Sequence, residues 1–312
     1  MRKSSGLLVL AAGLWIMIEI FSAKNALALT NINDCNGLIS ATDCLEDYTL
    51  TTDIDCTGQT VEPFCGGYFT GTFSGDNHVI SNISINCYDS ECGLFKGLES
   101  GKIQNLGVNN IIVDGNTHGH FDKIGALAGF ITGSGAIESS YVTGNSHVYG
   151  RYQVGGLVGK LVDGTINKSY SKANVTGYVT VGGLAGIIYN GHIRDSYVSG
   201  YPTIKGDVSV GGLVAYIETS NTTPEIKNSY SVALIDGVNF EIGSLIANSQ
   251  SYVTTESFYP FDDISCMKCD NQIGSNNKTN LRNQDYLSGS LWDFTNIWEF
   301  IDGQNDNYPV LK

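Results

Sequence analysis

Short alternations of apolar and polar residues, separated by glycine-rich turns, dominate the chain between residues 60 and 255. An apolar glycine–leucine segment recurs five times at intervals of 27 to 32 residues. The five copies are IGALAG from Ile124, VGGLVG from Val154, VGGLAG from Val181, VGGLVA from Val210 and IGSLIA from Ile242. Runs of about four to seven residues that are rich in β-branched and aromatic types and end at Gly, Asn or Asp predict β-strands and turns. The region has no convincing amphipathic helical pattern.

A second motif, Ile-x-x-Ser-Tyr, keeps the same phase as the first. Its copies are Ile137–Tyr141, Ile166–Tyr170, Ile193–Tyr197 and Ile226–Tyr230. One such unit is too small to bury its apolar face alone, whereas stacked units bury a continuous core. We therefore predict an all-β protein folded as a right-handed parallel β-helix, or β-solenoid. A β-propeller is the competing repeat fold, but its blades usually need about 40 residues or more.

Stacking at a strand spacing of about 4.8 Å would align equivalent side chains in columns along the solenoid. One predicted column contains Leu127, Leu157, Leu184, Leu213 and Leu245. Another contains Tyr141, Tyr170, Tyr197 and Tyr230. The glycines are expected where the backbone bends or where coils approach closely.

The VGGLVG elements, followed by segments such as Ile166-Asn-Lys-Ser-Tyr170, resemble the GLUG motif. The similarity extends upstream to Phe69–Ile83 and Gly93–Phe95, and downstream to the aromatic ending that includes Tyr308–Leu311. GLUG repeats are found in secreted and surface bacterial proteins, including filamentous-haemagglutinin-like adhesins and IgA-specific metallopeptidases. The resemblance implies a repeat scaffold at the cell surface or beyond it. It does not select an activity, because the repeat serves proteins of different function.

The N-terminus has the pattern of a secretion signal. Arg2 and Lys3 precede an apolar stretch, and Ala26-Leu27-Ala28 has the small-x-small pattern of a cleavage site. An uncleaved membrane anchor is the alternative, which Glu19 and the cleavage motif disfavour. The predicted organisation is a signal peptide (1–28), an N-terminal cap (29–68), the repeat solenoid (69–250) and an aromatic C-terminal cap (251–312). Caps are expected because an open solenoid end would template aggregation.

All eight cysteines follow the proposed cleavage site, which in an exported protein predicts a set of disulfides. They are Cys35, Cys44, Cys56, Cys65, Cys87, Cys92, Cys266 and Cys269. The sequence cannot fix their connectivity, but their grouping favours neighbour pairs. The favoured pairs are Cys35 with Cys44, Cys56 with Cys65, Cys87 with Cys92, and Cys266 with Cys269. Cys266 and Cys269 also have redox-motif spacing, but an exported chain without a βαβ context favours a structural bond.

The charge of the chain limits its partners. Without residues 1–28 it has 14 basic and 30 acidic residues, a net charge of −16. Such a surface repels nucleic acid and anionic lipid, so neither is an expected partner. No later segment is apolar enough to predict membrane insertion after signal cleavage.

The best candidate for a metal site is the insertion that contains His118, His120 and Asp122. On a strand these alternate positions would face one side. A zinc site needs a complete, oriented ligand set, and the HExxH motif is absent from the chain. An exposed loop insertion is therefore favoured, and no metal or cofactor is expected.

Other candidate sites are also weak. The acidic residues Asp163, Asp195, Asp207 and Glu218 are spread through the turns without a recurrent pattern. Paired carboxylates of a glycosidase must lie about 5 to 10 Å apart, which the sequence cannot certify. Trp292 and Trp298 could form a platform for sugar stacking, although large aromatic residues more often lie buried in a cap.

These patterns predict an exported, non-enzymatic repeat protein that acts as an extracellular scaffold or adhesin-like binding module. We expect it to be secreted or periplasmic, either free or associated with the cell surface. Its expected partner is an extracellular glycan or a host or matrix protein. The alternative is a carbohydrate-active β-helix enzyme, a polysaccharide lyase or hydrolase, which rests on fold analogy alone.

Overall fold

The computed structural model describes residues 29–115, 122–220, 223–239, 241–249, 254–259, 275–276, 282, 287, 292–302 and 305–312. These residues form a parallel β-solenoid of about seven coils, so the predicted fold class is confirmed. A typical coil has five short strands, and each strand pairs in parallel with its equivalents in the neighbouring coils. We call the five resulting ladders A to E, in chain order within a coil.

The glycine–leucine motif begins in a strand of ladder A and ends in a strand of ladder B. The strands of ladder A are Glu91–Cys92, Lys123–Gly125, Gln153–Gly155, Thr180–Gly182, Ser209–Gly211 and Glu241–Gly243. The strands of ladder B are Phe64–Phe69, Phe95–Glu99, Ala128–Thr132, Val158–Val162, Ala185–Tyr189, Val214–Glu218 and Ile246–Ser249.

Ladders C, D and E belong to one larger sheet, in which a few long strands continue from one ladder into the next. The strands of ladder C are Leu29–Ile32, Asp47–Leu50, Thr72–Ser74, Lys102–Gln104, Ala136–Glu138, Thr165–Asn167 and His192–Arg194. Those of ladder D are Gly107–Asn109, Tyr141–Thr143, Tyr170–Ser171, Tyr197–Val198 and Ser275–Asn276. Those of ladder E are Ile112–Asp114, His147–Tyr149, Asn174–Thr176, Thr203–Gly206 and Leu234–Gly237. The strands that span two ladders are Ile54–Val61, Val79–Asn86, Glu225–Ser231 and Thr254–Tyr259.

The leucines of the glycine–leucine motif form the predicted column inside the solenoid. Leu157, Leu184 and Leu213 are fully buried. The backbone N–H of Leu157 donates to the carbonyl of Leu184 over 2.9 Å, and that of Leu184 donates to the carbonyl of Leu213 over 2.8 Å. Burial of one leucine side chain contributes about 1.5–3 kcal/mol, so the repeated column stabilises each coil against its neighbours.

The glycines of this motif permit a sharp corner between ladders A and B. A Cβ atom at Gly182 would lie 2.0 Å from the carbonyl oxygen of Ala185 in the same coil. A Cβ atom at Gly183 would lie 2.1 Å from the carbonyl oxygen of Gly212 in the next coil. Both distances are far shorter than any real contact, which explains why the corner excludes larger residues.

The serine of the second motif holds the corner between ladders C and D. The backbone N–H of Ser169 donates to the hydroxyl of Ser196 over 3.2 Å, and that hydroxyl donates to the carbonyl of Arg194 over 2.7 Å. The same arrangement recurs at Ser140 and Ser229. The residues before these serines have a left-handed φ of 47° or 48°, and they are Ser139, Lys168, Asp195 and Asn228. Buried backbone groups at a tight corner are thus satisfied by one hydroxyl per coil.

The N-terminal segment joins the solenoid directly. Leu29–Ile32 and Asp47–Leu50 pair in ladder C, so parallel pairing already includes the predicted cap region 29–68. The segment adds one α-helix, Cys35–Ser40. Asp34 caps its N-terminus, and its side chain accepts a hydrogen bond from the backbone N–H of Gly37. No helix among the described residues has the length and hydropathy needed to cross a membrane.

Two of the predicted disulfide pairs are wrong. The structure joins Cys35 to Cys56 and Cys44 to Cys65, each across 21 residues, rather than Cys35 to Cys44 and Cys56 to Cys65. One bond fixes the short helix to the strand Ile54–Val61, and the other fixes the following loop to Phe64–Phe69. The predicted pair Cys87–Cys92 is confirmed. The predicted pair of Cys266 with Cys269 lies outside the described residues.

Candidate functional site

The tyrosines of the Ile-x-x-Ser-Tyr motif form a stacked column on the outer face of ladder D, as predicted. Successive ring centroids from Tyr141 through Tyr170 and Tyr197 to Tyr230 are 5.0, 4.7 and 5.0 Å apart. The rings are parallel within 6°. Alternation along each strand produces this column, because the residue after each tyrosine is buried in the solenoid while the ring points outward.

A C-terminal segment, described at residues 292–302 and 305–312, packs against the last two rings of the column. Trp298 is fully buried, with its ring centroid 5.8 Å from that of Tyr197 and 6.3 Å from that of Tyr230. Trp292 and Tyr308 complete the cluster. We call Tyr197 and Tyr230 the covered half of the column.

The described part of this segment packs against the outer face of the solenoid. The aromatic cap that the sequence predicts over 251–312 stays a prediction for the open end. Trp298–Glu299 pairs antiparallel with Val310–Leu311, and a 3₁₀ turn at Asn305–Asn307 lies between them. Trp292 and Trp298 are both buried, which rules out the alternative of a sugar platform formed by these two rings.

The hydroxyl of Tyr230 connects the covered half to the segment. It donates to the carbonyl oxygen of Pro309 over 2.7 Å. The side-chain amide of Asn305 donates to the same hydroxyl over 2.6 Å. This hydroxyl of the column thus acts as a donor to the main chain of the segment and as an acceptor from one of its side chains.

A corner residue of ladder C adds a side-chain contact. The indole Nε1 of Trp298 donates to Oδ1 of Asp195 over 3.4 Å, and the side-chain amide of Asn228 donates to the same oxygen over 3.1 Å. Asp195 directly precedes the serine of its motif, so equivalent positions recur in every coil beside the column.

Burial keeps the tyrosines of the column in the neutral form. Desolvation raises the pKa of Tyr170 to about 12, with a further contribution from Tyr141. It raises the pKa values of Tyr197 and Tyr230 well above the usual value of 10. All these hydroxyls therefore retain their protons at neutral pH and can both donate and accept hydrogen bonds.

The other two rings form the open half of the column, Tyr141 and Tyr170. Both are half-buried, and their hydroxyls have no hydrogen-bond partner among the described residues. Two lysines flank Tyr170. Lys168 occupies the corner position that Asp195 has in the next coil, and the Nζ atom of Lys172 lies 5.9 Å from the centroid of the Tyr170 ring. Neither lysine forms an ion pair within the described part of the chain.

Asp122, one of the metal candidates, lies directly before the ladder A strand Lys123–Gly125. Its two carboxylate oxygens accept hydrogen bonds from the backbone N–H groups of Arg151 (2.7 Å) and Tyr152 (2.5 Å) in the next coil. Asp122 is almost fully buried, which contradicts its expected place in an exposed loop insertion. Burial raises its carboxyl pKa, and the two backbone donors act in the opposite direction.

The remaining candidates are not brought together. His118 and His120 lie outside the described residues. Within the described ranges, no three His, Cys, Asp or Glu side chains are placed to hold a metal ion. Asp163 follows ladder B, Asp195 lies at the corner of ladders C and D, Asp207 follows ladder E, and Glu218 ends a ladder B strand.

Sequence reasoning identified the tyrosine column but missed Lys168 and Lys172. The pairing of the strands in ladder D shows that these two lysines lie beside the column.

Comparisons with known proteins concern the repeat and the fold. Residues 177–205 match the family model described as the GLUG motif. Halomucin from Haloquadratum walsbyi is 30% identical over 157 residues, which represent 46% of this chain and 2% of halomucin. The chain thus corresponds to a small part of that relative's length.

Two solved structures share the fold. One, from Bacteroides ovatus, is described as a candidate immunoglobulin A1 protease, with a TM-score of 0.67 and 20% identity over 90% of this chain and 91% of its own. The other is named IgA1 protease, with a TM-score of 0.54 and 17% identity over 79% of this chain and 21% of its own. At these identities the likeness shows the fold alone. The chain therefore carries a GLUG motif, and the matched residues 177–205 run through all five ladders of one coil, including Tyr197 of the column.

Proposed function

We propose that the protein is an exported, non-enzymatic binding module in which a rigid solenoid supports a lateral recognition surface. The observation that carries this proposal is the tyrosine column, whose covered half already holds a peptide segment by its main chain and its aromatic side chains. A solenoid repeats the same surface from coil to coil, which suits binding to extended partners.

An extracellular location is consistent with the covalent structure. Three disulfides link the six cysteines of the described N-terminal coils, and disulfides persist mainly in oxidising compartments. The GLUG motif supports the same location through the resemblance of this chain to secreted and surface proteins. The partner in this proposal is an extracellular glycan or a host or matrix protein.

Hydrolysis is the competing function, because the two structural relatives are named as proteases, one of them as a candidate only. A single experiment separates the classes. Labelled protein with intact disulfides is applied to an array of extracellular glycans and matrix proteins, and the same protein is incubated with immunoglobulin A1 and with polysaccharides. The proposal expects saturable binding without new cleavage products. Cleavage that increases with protein concentration and persists through purification would show that the protein is an enzyme and would contradict the proposed function.

A further inference from the structure

We propose that the open half of the tyrosine column binds an extended, acidic peptide segment of a partner protein. The inference deepens the proposed function and rests on it, since it names the site and the chemical class of the partner. It follows from three features: the contacts of the covered half, the continuity of the column, and the change of charge at its corner positions.

The covered half shows what the column recognises. The hydroxyl of Tyr230 donates to the carbonyl of Pro309 and accepts from the side-chain amide of Asn305. A peptide main chain has donors and acceptors in regular alternation, and a phenol hydroxyl can match either. The covered half therefore binds the segment through its main chain, through a side-chain amide and through aromatic side chains that pack on the rings.

The open half continues the same surface without a change of register. Tyr141 pairs with Tyr170, and Tyr170 pairs with Tyr197 in ladder D. The ring spacing stays within 0.3 Å along the whole column. The hydroxyls of Tyr141 and Tyr170 thus extend the row that already contacts a peptide. Because the two rings are 5.0 Å apart and an extended chain rises about 3.3 Å per residue, a segment of about three extended residues spans the open half.

The charge at the corner beside the row changes sign between two neighbouring coils, from Asp195 next to Tyr197 to Lys168 next to Tyr170, whereas Ser139 next to Tyr141 is neutral. In the covered half the corner residue is Asp195, which accepts the indole N–H of Trp298. In the open half the equivalent residue is Lys168, which is a donor only, and Lys172 adds a second donor on the other side of the row. A partner must supply acceptors at these points, and carboxylates form the stronger, charge-assisted hydrogen bonds.

The orientation of the rings disfavours a carbohydrate. Sugars stack on the faces of aromatic rings, but the faces of Tyr170 are covered by Tyr141 and Tyr197. The ring of Tyr141 lies over Gly107, where a Cβ atom would be 2.6 Å from the tyrosine hydroxyl oxygen. Ring edges and hydroxyls are left for a ligand, and these suit an extended main chain.

The test uses three fluorescent probes of similar length with the whole protein. They are a heptapeptide of alternating glutamate and valine, its lysine and valine counterpart, and a hexuronate oligosaccharide. We expect the acidic peptide to bind most tightly, with an affinity that falls as salt is raised. Lys168→Gln should weaken it about tenfold, and the double variant Tyr141→Phe/Tyr170→Phe about fivefold, because one charge-assisted or two neutral hydrogen bonds are lost.

Lys160→Gln is the matched control, since it removes the same charge from a lysine on ladder B that has no ion pair with any described residue, and it should leave the affinity within about twofold. The phenylalanine variant keeps the ring stack, so thermal unfolding checks that its fold is intact. No binding of the acidic peptide at about 1 mM, equal binding of the basic peptide, tighter binding of the oligosaccharide, or an equal loss in Lys160→Gln would each overturn the inference. If the phenylalanine variant retains array binding, the proposed function stands and only this site is wrong.

Discussion

Two buried serines in one coil provide a direct test of the hydrogen-bonded corner. Ser196 and Ser199 are both fully buried and lie three residues apart. The hydroxyl of Ser196 accepts from the backbone of Ser169 and donates to the carbonyl of Arg194. The hydroxyl of Ser199 has no hydrogen-bond partner among the described residues. Replacing each serine by alanine therefore removes a buried hydroxyl oxygen in both cases. That oxygen is hydrogen-bonded at Ser196 and has no partner among the described residues at Ser199.

The structure sets the expected magnitudes. Ser196→Ala leaves the buried N–H of Ser169 without an acceptor, which costs about 1–3 kcal/mol. The carbonyl of Arg194 keeps its hydrogen bond from the backbone of Lys168 (3.1 Å), so the loss is concentrated on one group. Ser199→Ala removes an unpaired buried hydroxyl and should change the free energy of unfolding by less than about 0.5 kcal/mol. We expect a difference of about 2 kcal/mol between the variants, or about thirtyfold in the unfolding constant.

Urea unfolding followed by circular dichroism measures this difference, provided that the slope of each transition is unchanged. Native-state hydrogen exchange gives a local reading, because the amide of Ser169 should lose protection in Ser196→Ala alone. Equal stabilities of the two variants, or unchanged protection at Ser169, would show that the serine hydroxyls do not hold the corner.

Three further predictions concern other parts of the molecule. Asp122→Ala should lower the free energy of unfolding, measured in urea, by about 1–3 kcal/mol, because the backbone N–H groups of Arg151 and Tyr152 lose their acceptor. An unchanged free energy of unfolding would contradict the buried, hydrogen-bonded position of Asp122. The raised pKa values of Tyr197 and Tyr230 contribute stability that is fully present below about pH 10 and lost as the pH rises beyond it, since only the unfolded tyrosines ionise there. Melting temperatures measured from neutral to alkaline pH should fall in that range while tyrosinate absorbance of the unfolded protein rises, and a constant Tm would contradict this. Mass spectrometry of unreduced peptides should find Cys35 linked to Cys56 and Cys44 to Cys65; the neighbour pairs Cys35–Cys44 and Cys56–Cys65 would contradict the structure.

Periodicity predicted the parts of the structure that repeat. The leucine and tyrosine columns follow directly from residue spacing, because equivalent positions of stacked coils must be neighbours. The same rule explains the disulfide error. Cys35 and Cys44 are close in sequence but lie at different positions around the solenoid, whereas residues about one coil apart, such as Cys44 and Cys65, become adjacent. The first coils are shorter than the repeat, with register steps of 18 and 25 residues, so the repeat spacing of 27 to 32 residues could not have given the observed pairs, which are 21 residues apart.

Features that do not repeat could not be predicted in this way. The docking of Trp298 on the side of the solenoid depends on a contact between residues about 100 positions apart, and no local pattern encodes it. The role of Asp122 was missed for a related reason. Its partners, Arg151 and Tyr152, contribute only their backbone, so nothing in their side chains marks the contact.

The separation of the two apolar clusters connects stability with recognition. The solenoid core is one continuous cluster inside the coils, whereas the aromatic cluster around Trp298 lies on their outer face. Because each coil is stabilised mainly by its neighbours, the outer tyrosines can change without loss of the interior columns. Substitutions along a column such as Lys168, Asp195 and Asn228 can therefore alter the charge of the binding surface coil by coil while the fold is kept. Such a surface can bind the chain's own C-terminal segment with one half and the proposed acidic partner with the other half.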